Sequence, residues 1–347
     1  KPGGALGYIV PSTLLLNDTA SKIRHWLVNE TTIDVLIKFK YRVFENAEIG
    51  GSLILVLTKT GCDIKQKVLA AEVDSIEKFS NLVYEEILQS KYCNEKSKIY
   101  LSNKRIDFIN SVYKVPNRPL GDFVDIYQGV ITGDNKKFLS ETKKGEEWLP
   151  ILRGSDILSY YIEKPNTYVY FKPQELWSNT NTEIFYRSEK LINRQTSDHL
   201  IVAYDDNKYL TLDSTHVQVM RADFQYYSIK YFLGLQNSKL FRLLYDCLVD
   251  EQRRAFAQVK TVLIKQLPVR IIDFDNTKEV SCYERLLALV DTMIQTKNDS
   301  QLKSKKNGDD LYFKQIDLIE KQINLIVYEI YNLTPDEIKI IDESTTP

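Results

Sequence analysis

The sequence is poor in cysteine and in long apolar runs. Four cysteines lie far apart among 347 residues, with no CxxC pair and no histidine pair beside them, so neither a zinc site nor a disulfide framework is indicated. No apolar run approaches the ~20 residues of a membrane span, and Gly7 and Pro11 interrupt the apolar stretch near the start. We therefore expect no membrane segment and a reducing, cytoplasmic location.

An excess of charge of either sign is also missing. The 46 Lys and Arg residues nearly balance the 47 Asp and Glu residues, which excludes the broad positive field of a nonspecific polycation. Any nucleic-acid site must then be a local patch. Residues 116–270 carry a net charge of +2 and residues 271–347 a net charge of −6, so the acidic end is a poor place for DNA.

The first seventy residues are typical of one edge of an α/β sheet. Their patterns predict a buried strand over 5–10, a helix over 19–30, and strands over 33–39 and 52–59 that pair as an antiparallel hairpin. Such a set cannot cover both faces of its own sheet, so we expect further strands upstream and interpret the chain as a fragment of a longer protein.

The rest of the chain changes pattern twice. A polar helical pattern over 72–108, with Ile76, Phe79, Val83 and Ile87 at helical spacing, predicts a connecting segment. Residues 120–268 are rich in strand patterns and aromatics, with a long helix over 226–248, and the end predicts two helices separated by a spacer, 297–310, too polar to pack. The predicted domains are 1–70, 71–115, 116–270 and 271–347.

Several residue strings, in this order, resemble one family: the C-terminal half of DNA adenine methyltransferases of restriction–modification systems, with a TaqI-like target-recognition domain. The strings are 4–11 (GALGYIVP), Arg24, 43–44 (VF), 52–57 (SLILVL), 128–138 (QGVITGDNKKF), 152–157 (LRGSDI), 235–240 (LQNSKL), 266–269 (QLPV), 316–317 (ID) and 327–338 (VYEIYNLTPDEI). The resemblance implies a mixed fold, α/β plus α+β: closing strands of a class I methyltransferase sheet, a strand-rich recognition domain and a helical C-terminal tail.

Two family motifs do not occur in this sequence. They are the Gly-rich turn that binds S-adenosylmethionine and the Asn/Asp-Pro-Pro-Tyr/Phe motif that holds the target amino group. In the family both precede the string at 4–11, as an N-terminal truncation would produce. We therefore expect S-adenosylmethionine in the full-length parent, no cofactor on this fragment, no methylation by the fragment alone, and double-stranded DNA and the upstream catalytic domain as partners.

Phe44 is the candidate for stacking on the target base. A methyltransferase must rotate adenine out of the duplex, and the extruded base needs an aromatic or apolar face. The resemblance places an aromatic residue in the loop before the last strand, where Phe44 stands. The alternative is an ordinary core phenylalanine at the end of a hairpin.

The candidates for DNA contact lie in four segments of the recognition region. The pattern over 128–138 predicts strand, tight turn and strand, with lysines positioned for phosphate; the alternative is a glycine-containing hairpin with solvated lysines. An arginine follows at 153, either on guanine or phosphate or paired with Asp156, and a polar loop at 193–196 could read base edges or be a plain turn. The candidates are Gln128, Thr132, Asn135, Lys136, Lys137, Arg153, Asn193, Arg194, Gln195 and, near the end of the long helix and in the loop after it, Arg253, Arg254 and Lys260. The alternative for the last three is ion pairing with Asp250 and Glu251.

Other polar and aromatic residues favour structural roles. His25, His199 and His216 stand without metal or triad partners at the usual spacing, so no catalytic or metal role is assigned. Tyr160, Tyr161, Tyr226 and Tyr227 are expected to be half-buried strand and helix residues.

Two other functions are compatible with the sequence, besides the recognition part of a methyltransferase. One is a non-enzymatic specificity subunit that binds DNA and recruits a separate methyltransferase, which would have no need for the sheet remnant at 4–59 and would carry two recognition domains. The other is a protein-interaction module, which the near-neutral charge of 116–270 permits.

Overall fold

The computed structural model describes residues 1–44, 51–61, 63, 65–93, 97–249, 258–303 and 309–345. These residues form a mixed α/β protein with two compact units. The first unit contains Lys1–Ser111 and the described residues 247–249, and the second contains Val112–Asp246 and the described residues from 258 onward. None of the helices in the described residues is both long enough and apolar enough to cross a membrane.

A five-stranded sheet is the centre of the first unit. The chain runs through β1 (Ala5–Pro11), α1 (Ser21–Glu30), β2 (Thr32–Phe39), β3 (Ser52–Thr58), β4 (Lys67–Val73), β5 (Glu85–Leu88) and α2 (Asn103–Val112). The strand order in the sheet is β1-β3-β2-β4-β5, with β3 antiparallel to both β1 and β2, and β2 parallel to β4. The strands predicted over 33–39 and 52–59 are thus confirmed as an antiparallel pair.

A buried glutamine joins α1 to the sheet. The amide of Gln89 is fully buried and donates hydrogen bonds to the carbonyl oxygens of Val28 (2.8 Å) and Thr31 (2.7 Å). Its carbonyl oxygen accepts from the backbone N–H of Ile33 at 2.8 Å. These bonds satisfy backbone groups at the end of α1 and the start of β2 that would otherwise be buried unpaired.

Two expectations for this unit are wrong in part. Strand β1 forms, but it is exposed rather than buried, because it lies at the edge of the sheet and pairs on one side with β3. The segment predicted as helical over 72–108 instead contains the end of β4, strand β5 and short 3₁₀ turns before α2. Pairing with the neighbouring strands outweighed the helical spacing: Ile87 is buried in β5, while Val83 is 90% exposed.

The second unit is built around two four-stranded sheets with two two-stranded pairs. In chain order its elements are β6 (Asn117–Pro119), α3 (Leu120–Phe123), β7 (Val124–Gln128), α4 (Asn135–Phe138), β8 (Leu139–Ser140), β9 (Trp148–Leu152), β10 (Ile157–Leu158), β11 (Tyr161–Ile162), β12 (Tyr168–Tyr170), α5 (Thr182–Phe185), β13 (Lys190–Arg194), β14 (Val202–Asp205), β15 (Leu210–Thr211), β16 (Thr215–Met220), α6 (Ile229–Gln236), α7 (Lys239–Leu248), α8 (Thr261–Ile264), β17 (Pro268–Arg270), α9 (Thr277–Lys303), α10 (Asp309–Ile330) and α11 (Pro335–Thr345).

The strand orders of the two large sheets are β15-β9-β12-β8 and β14-β13-β16-β7, and the small pairs are β10-β11 and β6-β17. Strand β15 runs parallel to β9, and the other pairings are antiparallel.

One apolar cluster joins the two large sheets. Ile151 and Val169 come from the first sheet and Val217 from the second, and all three are completely buried. Lys190 at the start of β13 is also completely buried, where its ammonium group donates to the Asp205 carboxylate and to the carbonyl oxygen of Phe185 (2.6 Å). Burial lowers the pKa of Lys190, and the attraction of Asp205 opposes that shift.

The helical expectations for this unit need three corrections. The long helix predicted over 226–248 is two helices, α6 and α7, because the chain turns at Ser238, whose hydroxyl accepts from the N–H of Phe241 at 3.3 Å. The spacer predicted to be too polar to pack begins inside α9, and Lys297 donates to the carbonyl oxygen of Ser159 at 2.8 Å. A third helix, α11, follows the two expected ones.

Candidate functional site

A cleft of about 380 Å³ opens on the second unit. Four separate segments line it: the start of α4, the turn after β9, the end of β13, and the turn between β15 and β16. The volume lies in the range of natural binding sites. The lining residues are Asn135, Leu139, Arg153, Gly154, Ser155, Arg194, Thr196, Leu212, Asp213 and Ser214.

Two glycines allow these segments to come so close. A Cβ atom at Gly129 would lie 2.1 Å from the carbonyl oxygen of Leu212, and one at Gly154 would lie 2.8 Å from the carbonyl oxygen of Ser214. The N–H of Gly154 also donates to the Ser214 hydroxyl at 2.9 Å. Backbone contacts of this kind exclude any larger residue.

Arg153 extends into the cleft with part of its guanidinium group unused. Its Nε donates to the Thr167 hydroxyl at 2.9 Å, and its two terminal nitrogens donate to no side chain or backbone group within the described residues. Asp156 accepts from the backbone N–H of Arg153 at 2.7 Å. The carboxylate that could have formed an ion pair with this guanidinium therefore serves the backbone, and the planar fork stays available.

Arg194 is held more tightly than Arg153. It is the last residue of β13, and its Nε donates to the carbonyl oxygen of Ile157 at 2.6 Å. Its Nη2 donates to the carbonyl oxygen of Ser155 at 3.3 Å. Both acceptors are backbone atoms within four residues after Arg153 in the chain, so the same backbone segment supports the two guanidinium groups.

The segment predicted as strand, turn and strand over 128–138 ends differently. Strand β7 stops at Gln128, the chain turns at Gly133 (φ +79°), and residues 135–138 form the short helix α4. The side chain of Asp134 caps this helix by accepting from the N–H groups of Lys136 (3.0 Å) and Lys137 (3.1 Å). The cap replaced the second strand because a carboxylate at this position satisfies two free helix donors.

The candidates of this segment have different surroundings. Thr132 is buried and donates to the Asn135 side-chain oxygen at 2.5 Å, and Gln128 donates weakly to the carbonyl oxygen of Asp213 at 3.4 Å. Lys137 pairs with Glu175 at 2.9 Å, whereas Lys136 is exposed and has no ion pair within the described residues.

Asn193 belongs to a strand rather than to a polar loop, and it points away from solvent. It is completely buried, where it accepts from Gln218 (3.0 Å) and its amide group lies 3.2 Å from Nδ1 of His216. Burial lowers the pKa of His216 to about 4. A buried polar group of this kind needs these partners, so Asn193 is part of the core beneath the cleft and does not line it.

Of the remaining candidates, Gln195, Lys260 and Phe44 lie outside the cleft lining. Gln195 donates its backbone N–H to Ser214 at 2.9 Å, and exposed Lys260 donates its backbone N–H to the Tyr245 hydroxyl at 3.0 Å. Arg253 and Arg254 lie outside the described residues. Phe44, in the first unit, is 49% exposed, and its carbonyl oxygen accepts from Arg42 at 3.1 Å.

Several histidines and tyrosines were expected to have structural roles, and the burial of the tyrosines differs from that expectation. His25 lies 3.3 Å from the Asn29 amide and His199 lies 2.6 Å from Asp198. Tyr160 and Tyr227 are buried, while Tyr226 is 62% exposed, so the expectation that all four tyrosines are half-buried is wrong for these three. Within the described residues, no group of three or more His, Cys, Asp or Glu side chains could hold a metal ion.

Sequence reasoning missed the turn between β15 and β16. Asp213 and Ser214 line the cleft and were not singled out, whereas Ser155 and Thr196 lay in segments that were considered. Asp213 stands in a three-residue turn between two short strands, which is a weak signal for function. The complete lining offers guanidinium donors, an amide, hydroxyl groups and one exposed carboxylate. This mixture matches base edges, which present both donors and acceptors, better than it matches phosphate, which only accepts.

Two curated proteins are similar to this chain in sequence. Over 97% of its length the chain is 26% identical to a putative type II restriction enzyme and methyltransferase of Methanocaldococcus jannaschii, of which it covers 28%. Over 50% of its length it is 28% identical to a type II restriction enzyme and methyltransferase of Escherichia coli, of which it covers 17%. The chain therefore spans less than a third of either curated relative.

One solved structure resembles this chain in fold, and one family model matches part of its sequence. The type IIL restriction–modification enzyme MmeI, solved in complex with DNA, matches 98% of this chain over 49% of its own, with a TM-score of 0.58 at 9% identity, a likeness of fold. Residues 149–269 match the TaqI-like C-terminal specificity domain, and this range contains every lining residue of the cleft except Asn135 and Leu139. The chain is thus homologous to type II restriction enzymes and methyltransferases and carries a TaqI-like C-terminal specificity domain.

Proposed function

We propose that this chain is the sequence-specific DNA-recognition part of a restriction–modification adenine methyltransferase. The second unit binds double-stranded DNA and reads its target through the cleft. Phosphate contacts, from Lys136 among others, fix the register of the protein on the duplex, and the side chains in the cleft contact base edges.

The observation that carries this proposal is the convergence of Arg153, Arg194 and Asp213 in one cleft within the matched specificity domain. An arginine fork suits the two acceptors of guanine, and a carboxylate suits the amino group of cytosine. Because Arg194 is already bonded to two backbone carbonyls, little side-chain entropy is lost when it binds DNA.

For the first unit we propose the closing strands of a class I methyltransferase sheet. The supporting feature is strand order: β3 lies antiparallel between β1 and β2, which run parallel to each other. The exposed edge strand β1 would then pair with strands of the upstream catalytic domain. Phe44, which is exposed beyond the end of β2, would stack on the extruded adenine.

The methyl donor of such an enzyme is S-adenosylmethionine. This sequence holds neither the glycine-rich turn nor the Pro-Pro motif, and we assign none of its residues to that cofactor. The contribution of this chain to methylation is to choose the site and to present the base.

The test is selection of duplexes from a randomised pool by the 347-residue chain at two salt concentrations, followed by sequencing. Phosphate-only binding weakens steeply with salt, whereas a specific site persists. We expect an enriched motif. Arg153→Lys keeps the charge but loses the fork, so it should lower discrimination at one base pair by roughly 10- to 100-fold while nonspecific affinity changes little.

Arg285→Ala is the matched control, because Arg285 is exposed on α9 and pairs with Glu329 away from the cleft. It should leave the motif and the affinity unchanged. A pool that shows no enrichment at either salt concentration would refute the proposal, as would an Arg153→Lys variant with unaltered discrimination.

A further inference from the structure

A large aromatic side chain next to the cleft has no role in the function proposed so far. Trp177 is 77% exposed, and no ring or cation contact involves it within the described residues. Indole is the largest side chain and normally buries most of its surface. Leaving it in water sacrifices hydrophobic stabilisation, which indicates that something else covers it.

The backbone that carries this ring is fixed. The N–H groups of Trp177 and Ser178 both donate to the carbonyl oxygen of Ile131, at 3.0 and 3.2 Å, and the N–H of Ile131 donates back to Ser178 at 3.1 Å. The Asn179 amide donates to the carbonyl oxygen of Gly129 at 3.2 Å. The ring therefore extends from a braced segment and would lose little freedom on binding.

The same bracing places the ring beside the cleft. A Cβ atom at Gly133 would lie 3.3 Å from Cβ of Trp177, so the two residues are in contact. Asn135, two residues beyond Gly133, lines the cleft, and Lys136 follows it with an exposed ammonium group. An aromatic ring, a cation and the cleft thus lie on one surface of the second unit, and the acidic neighbour Glu175 is paired with Lys137.

We infer that Trp177 inserts between two base pairs of the DNA bound at this cleft and stacks on a base. The inference rests on the proposed function. Some DNA-binding proteins, among them many that bind the minor groove, insert apolar side chains at a base step, where the cost of unstacking is offset by the contacts that the opened duplex permits. A rigid indole stacks on any base, so this contact adds affinity and distortion of the duplex, and the cleft supplies the choice of sequence.

The experiment uses the full chain and the duplex enriched from the randomised pool. Affinity is measured for the unaltered chain and for Trp177→Ala, Trp177→Phe and the control Phe313→Ala, which removes another exposed ring, 61% exposed on α10. Trp177→Ala should weaken binding by roughly 10- to 100-fold, Trp177→Phe by much less, and Phe313→Ala not at all.

A second measurement detects whether a base in the duplex is unstacked. The fluorescent base 2-aminopurine is placed at each position of the duplex in turn, and its emission should change at one step with the unaltered chain and with Trp177→Phe, but not with Trp177→Ala. Unchanged affinity of Trp177→Ala overturns the insertion alone. Weaker binding with no change in emission at any step also overturns it, since the ring then contacts the sugar–phosphate backbone. Failure of the unaltered chain to bind any duplex overturns the proposed function and the insertion together.

Discussion

Hydrogen bonds within the protein orient the two arginines of the cleft. Arg194 donates to two carbonyl oxygens, and Arg153 donates to a threonine hydroxyl. In the proposed complex, each guanidinium plane would thus be oriented before DNA binds. A free arginine would lose more side-chain entropy on binding, so this arrangement favours selective contacts over loose attraction to phosphate.

The buried polar network beneath the cleft gives a pH prediction. Because burial lowers the pKa of His216 to about 4 from 6.5, the unfolded chain binds a proton there more readily than the folded chain does. The free energy of unfolding is therefore undiminished by this group above about pH 6.5 and falls as the pH drops toward 4, by up to about 3 kcal/mol.

Urea unfolding between pH 7.5 and 4.5 measures this loss. The neutral variant His216→Gln should be less sensitive to pH than the unaltered chain over this range, while His25→Gln, at an exposed position, should follow the unaltered chain. Identical pH profiles for His216→Gln and the unaltered chain would show that the histidine does not titrate in this window.

At the scale of elements, close backbone approach decides the shape of the site. Strand β7 ends against the turn between β15 and β16, and Gly129 is the point of contact. Pattern reading singled out this glycine but not its partner, because the partner lies more than eighty residues away along the chain. The same limit explains the segment over 72–108, where helical spacing was present but strand pairing prevailed.

We predict that Gly129→Ala destabilises the second unit. Its new Cβ atom would lie 2.1 Å from a carbonyl oxygen, so strands must shift, at a cost of about 1–3 kcal/mol or more. The matched control is Gly145→Ala, where the added Cβ would lie 3.8 Å from Trp148 and the expected change is within about 0.5 kcal/mol. Thermal unfolding compares the two variants, and equal melting temperatures would contradict the prediction.

For the whole molecule, the net charge of −1 means that the proposed DNA binding would have to come from local groups. Long-range attraction is weak for such a protein, so nonspecific binding should be modest and should vanish at moderate salt. In the second unit, the cleft and the exposed Lys136 on α4 beside it are local groups of this kind.

The salt dependence of DNA binding tests whether Lys136 contacts a phosphate. Lys136→Ala should weaken binding to all duplexes about equally and should reduce the slope of log K against log salt by about one, since one phosphate contact is lost. Lys339→Ala, which removes an exposed lysine on α11, should leave the slope unchanged. A change in sequence preference without a change in slope would mean that Lys136 contacts a base.

Local sequence patterns were sufficient to predict several elements and a family resemblance for this chain. Strand and helix periodicity predicted the antiparallel hairpin of the first unit and the strand-rich second unit, because these patterns reflect local burial that every sheet or helix imposes on its own residues. Short strings such as 128–138 and 152–157 predicted a TaqI-like recognition domain, which the comparisons confirm. These two strings contain the candidates Asn135 and Arg153, and the polar segment 193–196 contains the candidate Arg194.

Which candidates face one site depends on the folded arrangement of segments that are distant along the chain. Asn193 and Arg194 are neighbours in the sequence, yet successive side chains of a strand point to opposite faces, so one is buried in the core and the other lines the cleft. Asp213 and Trp177 gain their surroundings from segments that are distant along the chain. Periodicity carries no information on such contacts, because they are set by sheet register and by the backbone approaches that glycine permits.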